Sequence, residues 1–104
     1  MWYFLIRAAP RPGTDLAQEA GGAYVNCWVN FQLEEGAEHL AKFYIEQAGW
    51  APEETEESKW VERESYDDEP EGLQYFLEAE ADGASFVFNS WDIEDQEDEG
   101  QVVN

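Results

Sequence analysis

Residues 66–91 read YDDEPEGLQYFLEAEADGASFVFNSW and contain the clearest start and stop signals in the chain. Asp68 and Glu71 stand three apart, which is the spacing of a carboxylate capping box, and Pro70 falls in the first helical turn, where its missing N–H costs nothing. Gly83 stands where a left-handed residue commonly ends a helix. The apolar residues between these signals recur at helical spacing and are Leu73, Phe76, Leu77 and Ala81. The stretch therefore predicts a helix that leads directly into a buried strand.

A second amphipathic helix is predicted upstream, starting at residue 34. Glu38 and Lys42 form a favourable pair four residues apart, and Gly49 supplies the C-cap. The apolar positions at helical spacing are Ala37, Leu40, Ala41, Tyr44, Ile45 and Ala48.

Three further strands complete the predicted sheet. Residues 2–9 are rich in β-forming side chains, and residues 24–33 alternate strictly, with Val25, Cys27, Val29, Phe31 and Leu33 facing one way. Residues 53–65 predict an edge strand, because glutamates along a strand discourage pairing with another chain. The connection over residues 10–22 is either mobile or contains a short capped helical turn.

This order, β-β-α-β-α-β, predicts an α+β fold. We expect a two-layer sandwich in which a four-stranded, mostly antiparallel sheet carries two helices on one face, and a ferredoxin-like variant is one such arrangement. The 104 residues suffice for a single domain, which we place at residues 1–91. Residues 92–104 predict an acidic, flexible tail.

The C-terminal half resembles a family of small uncharacterised bacterial α+β proteins. The resemblance is carried by GW after the first helix, by Y-D-D-x-P-E-G-L-x-Y-F at 66–76 and by D-G-x-S-F-V-F-N-S-W at 82–91. It covers roughly two-thirds of the chain. The resemblance implies the fold and implies no activity.

The charge of the chain restricts its partners. Twenty-five acidic residues against five basic ones give a formal charge of −20, which repels nucleic acid and anionic membrane surfaces. Basic proteins and cations are better partners. The single cysteine cannot form an intrachain disulfide, and the apolar residues 1–9 are too short to span a bilayer or serve as a signal peptide. We therefore expect a cytoplasmic protein.

No residue is predicted to be catalytic, to bind a cofactor or to hold a specific metal ion. Phosphate-binding, CxxC, HExxH and GxSxG motifs are absent from the sequence. His39 is the only histidine and falls on the polar side of its helix, and Cys27 has no neighbour in sequence that would activate it. The acidic residues from Asp92 to Glu99 would attract Ca²⁺ or Mg²⁺ weakly, but they lack EF-hand spacing.

The second face of the predicted sheet is a candidate interaction surface, because it mixes aromatic and amide side chains. It comprises Tyr3, Arg7, Tyr24, Asn26, Trp28 and Asn30. Three interpretations remain open: the loop or tail covers this face, the face forms a homodimer, or it binds a ligand or partner.

The acidic residues form a second candidate surface, comprising Glu53, Glu54, Glu56, Glu57, Glu62, Glu64, Asp67, Asp68, Glu78 and Asp82. They either confer solubility or imitate a phosphate array for a basic cleft. On the second interpretation the chain is a non-enzymatic binding protein of the inhibitor, immunity or nucleic-acid-mimic type, engaging a basic protein. The alternative is a homodimeric module that binds a small ligand on the aromatic sheet face.

Overall fold

The computed structural model describes residues 1–93, which form a four-stranded antiparallel sheet with helices packed against it. The elements in chain order are β1 (Trp2–Pro10), α1 (Asp15–Glu19), β2 (Ala20–Val29), α2 (Glu34–Gln47), β3 (Trp50–Trp60), a 3₁₀ helix (Arg63–Tyr66), α3 (Pro70–Asp82) and β4 (Ala84–Asp92). The strand order across the sheet is β3-β1-β2-β4. The predicted α+β class and four-stranded sheet are confirmed.

The antiparallel pairing of β1 with β2 sets the two faces of the sheet. Trp2 pairs with Val29 and Arg7 pairs with Tyr24, so even-numbered β1 residues share a face with odd-numbered β2 residues. β2 ends at Val29, four residues earlier than the alternation predicts. It ends there because the chain turns: the N–H of Phe31 donates to the carbonyl of Val29 at 3.0 Å.

The first core lies between α2 and one face of the sheet. Ala37, Ala41 and Ile45 of α2 are fully buried against strand residues that include Phe4 and Val25. Two alanines at helical spacing allow the helix axis to approach the sheet closely, and the buried aliphatic and aromatic side chains supply the apolar area that stabilises the pair.

The second core lies on the opposite face, under α3. Phe76 and Ala79 of α3 are buried with Trp28 of β2 and Tyr66 of the 3₁₀ helix. The predicted placement of both helices on one face, as in a ferredoxin-like variant, is therefore wrong. The physical reason is that the second face carries enough aromatic area, chiefly Trp28 and the partly buried Tyr3, to need a covering helix of its own.

Both predicted ends of α3 are observed, although the predicted capping box is not. Pro70 occupies the first turn and Gly83 ends the helix with φ of 97°, a conformation that only glycine adopts without strain. Glu69 is the N-cap and no side chain caps this end. The helix turns so that Phe76 and Ala79 face the sheet, while Leu77, from the predicted apolar stripe, is 40% exposed.

Residues 10–22 include a short helix, which is one of the two alternatives left open by the sequence. The Oγ1 atom of Thr14 accepts a hydrogen bond from the N–H of Ala17 at 3.3 Å, and Leu16 packs against the first core.

The predicted domain boundary falls at the end of β4. Asp92, the first residue of the predicted tail, is the last residue of this strand. Residues 94–104 lie outside the described residues, so the flexible tail and the weak cation association expected there stay predictions. Among residues 1–93, no helix is long and apolar enough to cross a membrane.

Comparing Phe76→Ala with Leu77→Ala tests which side of α3 faces the sheet, because the predicted apolar stripe contains both residues and only Phe76 is buried. We expect Phe76→Ala to lower the free energy of unfolding by about 3–5 kcal/mol, because it removes a buried ring from the second core. Leu77→Ala, the neighbouring control, should cost about 1 kcal/mol or less. Urea unfolding followed by tryptophan fluorescence measures both, and equal losses would contradict the assigned face.

Candidate interaction surface

Trp28, the centre of the predicted aromatic and amide surface, is buried. Its side chain is 6% exposed and its ring stacks on Tyr75 of α3 with centroids 5.2 Å apart. The indole N–H donates to the hydroxyl of Tyr66 at 2.8 Å. Trp28 therefore belongs to the core, and no partner reaches it while α3 is in place.

Tyr3 and Asn26 bond to each other on the same face. The Tyr3 hydroxyl donates to Oδ1 of Asn26 at 2.5 Å, and the ammonium of Lys59 lies 5.3 Å from the centroid of the Tyr3 ring. Burial, with a further contribution from the charge of Glu57, raises the pKa of Tyr3 to about 12. The Tyr3 hydroxyl and the Asn26 amide oxygen are therefore bonded to each other, and a ligand would have to replace this hydrogen bond.

The other three residues of this face reach solvent at separate places. Tyr24 is exposed and its ring tilts against Trp91 at a centroid distance of 5.3 Å. Arg7 Nε lies 3.3 Å from Oε1 of Glu53, a charge contact that is too poorly aligned to count as a hydrogen bond. Asn30 is exposed just beyond the end of β2. The six predicted residues thus do not form one open surface.

The ten predicted acidic residues are all exposed. By position, Glu53, Glu54, Glu56 and Glu57 lie on β3; Glu62 and Glu64 are at the 3₁₀ helix; Asp67 and Asp68 precede α3; and Glu78 and Asp82 lie on α3. They are therefore spread over several elements and do not form one patch. The densest group is the one on β3.

β3 is an edge strand and it is irregular. Its pairing with β1 shifts register twice, and Glu53 and Glu56 are the extra residues at these two bulges. On the side toward α2, the hydroxyl of Thr55 donates to Oε2 of Glu38 and that of Ser58 donates to Oε2 of Glu34, both at 2.5 Å. Two α2 carboxylates therefore adjoin the acidic strand.

Few of these carboxylates can have a basic partner. Four of the five basic residues form ion pairs with glutamates, which are Arg7–Glu53, Lys42–Glu38, Lys59–Glu57 and Arg63–Glu80. With twenty-five acidic residues in the chain, most carboxylates must be neutralised by solvent ions or by another molecule.

An apolar pocket of about 420 Å³ lies at the Trp60 end of β3. It is lined by Asn30, Phe31, Gln32, Leu33 and Trp60. The alternation over residues 24–33 gives no sign of this pocket, because it places Phe31 and Leu33 on the same side of the strand as the buried Val25, Cys27 and Val29. Since β2 stops earlier, Leu33 is instead 70% exposed.

Neighbouring contacts hold the walls of this pocket in place. The indole N–H of Trp60 donates to Oε1 of Glu62 at 2.7 Å, and its ring meets Trp2 edge-on at a centroid distance of 5.6 Å. Phe31 lies directly over Gly36 in the first turn of α2, where a Cβ would overlap the ring. The pocket therefore has fixed aromatic walls with a carboxylate at its rim.

The two single-residue candidates for catalysis, His39 and Cys27, lie in different environments. His39 is exposed on α2. Cys27 is fully buried, and burial raises the pKa of its thiol well above the ordinary value. Within residues 1–93, no three histidine, cysteine, aspartate or glutamate side chains are grouped closely enough to hold a metal ion.

Comparisons of this chain with protein-family models, with curated proteins and with solved structures find no match. The resemblance to small bacterial α+β proteins therefore stays a prediction.

Burial should protect Cys27 from modification. We expect an aromatic disulfide reagent to react with the native thiol on the order of 1,000-fold more slowly than with the urea-unfolded chain, because reaction requires the sheet to open. The released chromophore measures both rates, and Cys27→Ser gives the background. Equal rates in the two states would contradict the burial.

The Thr55 hydroxyl should control the pKa of Glu38. The hydrogen bond from Thr55 is the main cause that lowers the pKa of Glu38. Partial burial raises this pKa, and the neighbouring Lys42 lowers it further. We expect Thr55→Val to raise the pKa and Thr55→Ser to preserve it, as measured by carboxyl NMR titration.

The corresponding effect on stability has a defined sign. A lowered pKa in the folded state stabilises the fold above the unfolded-state pKa of Glu38, and this contribution disappears as the pH falls through the folded-state value. The stability difference between wild type and Thr55→Val should therefore vanish in acid. A difference that is independent of pH would assign the loss to packing.

Proposed function

We propose that this chain is a non-enzymatic, cytoplasmic binding module that engages a basic protein through the β3 edge. The docking surface consists of the β3 glutamates together with the neighbouring pocket, namely Glu53, Glu54, Glu56, Glu57, Phe31, Leu33 and Trp60. The observation that supports it is the occurrence of both features along one edge strand, with Glu54 and Glu57 on the α3 side, opposite Arg7 and Leu5, and the pocket at Trp60 on the α2 side, so that a partner lying across the edge meets both. Solubility alone would account for the acid, and pockets of about 500 and 580 Å³ also lie along α3, so the pocket at Trp60 is chosen because it adjoins the acidic edge strand.

The two parts of this surface have different physical roles. The negative field of a chain with a charge of −20 accelerates encounter with a positively charged molecule and disfavours acidic partners. The pocket supplies the short-range affinity, since interface hot spots are enriched in tryptophan and lie beside a polar rim. Trp60 is the central anchor, because it is 46% exposed while its indole N–H is already bonded to Glu62.

The chemistry of the partner follows from the rim of the pocket. Glu62 bonds Trp60, and Glu34 adjoins the same end of β3 through Ser58. An apolar side chain flanked by lysine or arginine would place its methylenes in the pocket and its neighbours' charges on the rim. A cleft that binds nucleic-acid phosphates presents such cations. This surface therefore suits a chain that acts as an inhibitor, an immunity protein or a nucleic-acid mimic.

Charge removal at β3 provides the main test. Tagged wild type is incubated with cell lysate at 50 mM and at 500 mM NaCl, and retained proteins are identified by mass spectrometry. We expect basic proteins at low salt only, and roughly tenfold weaker capture by the variant that combines Glu53→Gln, Glu54→Gln, Glu56→Gln and Glu57→Gln, since each exposed pair contributes about 0.2–1 kcal/mol.

The control removes the same charge elsewhere. It combines Asp15→Asn, Glu19→Gln, Glu46→Gln and Asp92→Asn, which are exposed residues on other elements, and it should capture the same proteins as wild type. A Trp60→Ala variant should also lose capture. The proposal fails if no basic protein is retained at low salt, or if the β3 variant and the control behave alike.

A further inference from the structure

The hydrogen bonds at the end of β3 show which of its backbone groups face β1. The N–H of Val61 donates to the carbonyl of Met1 at 2.8 Å, and the amino group of Met1 donates back to the carbonyl of Val61 at 3.2 Å. Such mutually bonded pairs recur at every second residue of an antiparallel ladder. The next pair in register is Tyr3 with Lys59, so the backbone groups of Lys59 point toward β1.

The backbone groups of Ser58 and Trp60 consequently point away from the sheet. These residues lie opposite Phe4 and Trp2, at the positions between bonded pairs, where an edge strand directs its N–H and C=O outward. Over residues 1–93, the turns, loops and side chains provide no hydrogen-bond partner for these outward groups. Ser58 and Trp60 therefore present a row of two free donors and two free acceptors.

The other edge of the sheet gives the same alternation independently. The N–H of Asn30, just beyond β2, donates to the carbonyl of Gly83, just before β4, at 2.9 Å. Even-numbered residues of β2 therefore bond β4, and odd-numbered residues such as Val29 bond β1. Trp2 lies opposite Val29, so its backbone groups point toward β2, and Trp60 is left without a strand partner.

The two bulges of β3 do not reach this stretch. Pairing with β1 runs without a shift from Glu57 to Trp60, and both shifts lie on the other side of Glu57. Because a bulge interrupts a ladder, the regular stretch is the part of β3 that can accept a further strand. The charge of −20 disfavours a second copy of this chain as that strand and favours a cationic segment.

The pocket at Trp60 lies in register with the outward groups. Residues directly opposite each other in an antiparallel pair have their side chains on the same face. A residue added opposite Trp60 would therefore direct its side chain to the α2 side of the sheet, where the pocket lies. Because Phe31 and Leu33 line this pocket, an apolar side chain suits that position.

A carboxylate lies at the next position on the same face. The hydroxyl of Ser58 is bonded to Oε2 of Glu34, and no lysine or arginine in the described part of the chain forms an ion pair with Glu34. A cation opposite Ser58 would reach this carboxylate, since opposite Cβ atoms are about 5 Å apart. Opposite Lys59, on the other face, the ammonium over the Tyr3 ring disfavours a second cation.

We propose that the basic partner supplies an extended segment that pairs antiparallel with β3 at Ser58 and Trp60. From its N-terminus, the segment places an apolar residue opposite Trp60, a neutral residue opposite Lys59 and a lysine or arginine opposite Ser58. The residues that follow run toward the glutamates of residues 53–57. Main-chain hydrogen bonds supply affinity, and the pocket and Glu34 supply specificity.

Antiparallel pairing continues the arrangement of the sheet, in which every described strand pair is antiparallel. The inference rests on the proposed function because it uses the same edge. It adds the backbone pairing and the order of side chains that the partner must have.

A pair of isomeric peptides provides the decisive test. The parent peptide has two threonines, then leucine, threonine and lysine, then alternating threonine and lysine, and it carries a neutral fluorophore. One isomer is N-methylated at the leucine, whose N–H would donate to the carbonyl of Trp60. The other is N-methylated at the threonine after the leucine, whose N–H would point away from β3.

Fluorescence anisotropy with the purified full chain at 50 mM NaCl measures the three affinities. We expect methylation at the leucine to weaken binding about tenfold or more, because it removes a main-chain hydrogen bond and places a methyl group against the strand. Methylation at the threonine should leave the affinity of the parent peptide unchanged. A larger loss from the threonine isomer would indicate parallel pairing and overturn the proposal.

Hydrogen exchange measured by NMR gives a readout without any change to the protein. The amides of Ser58 and Trp60 should exchange rapidly in the free chain and become protected when the parent peptide is added. The amide of Lys59, which bonds Tyr3, should be protected in both states. Bound peptide without protection of Ser58 and Trp60 would contradict strand pairing.

The lysate experiment distinguishes failure of this inference from failure of the proposed function. Salt-sensitive capture that depends on the β3 glutamates, combined with equal affinities of the two methylated peptides, would overturn strand pairing and leave the docking surface intact. If neither basic proteins nor the parent peptide bind at low salt, both proposals fail. Selective loss on methylation at the leucine, with new protection of Ser58 and Trp60, supports the inference.

Discussion

The burial of Trp28 is the constraint on which the arrangement of the whole domain depends. A tryptophan can leave water only if its indole N–H finds an acceptor, and the hydroxyl of Tyr66 provides one at 2.8 Å. That bond fixes the 3₁₀ helix, and α3 follows within the next few residues and covers the ring. The second face of the sheet thereby becomes a core instead of a surface, and the domain has apolar contacts on both sides of its central strands.

Burying both faces leaves the two edges as the main places where the sheet can meet another molecule. The edges have opposite character: β3 is bulged and rich in glutamate, whereas β4 is regular and uncharged from Ala84 to Trp91. The acidic side chains of the sheet are therefore distributed unevenly between its two edges. The strands β1 and β2 separate these two edges.

Local signals predicted much of the fold, whereas the relations between elements were harder to predict. Pro70 and Gly83 fixed the ends of α3 because their backbone preferences are intrinsic to the residue. The face of the sheet that α3 covers could not be predicted in this way. The alternation of β2 places Tyr24, Asn26 and Trp28 on one face, and this mixture of aromatic and amide side chains resembles a surface that is exposed to solvent. The predicted position of Phe31 was wrong for a related reason. The alternation continues through Phe31 and Leu33, and it does not show that the strand ends at Val29.

The irregular, acidic β3 strand has a consequence for the solvent around the protein. Closely spaced carboxylates with few basic neighbours act as a short polyelectrolyte and hold a local excess of small cations. Any cationic molecule that lies along this strand must displace them. The entropy gained by those released ions would then contribute to association, as it does when proteins bind the phosphate backbone of nucleic acids, with the signs of the charges exchanged.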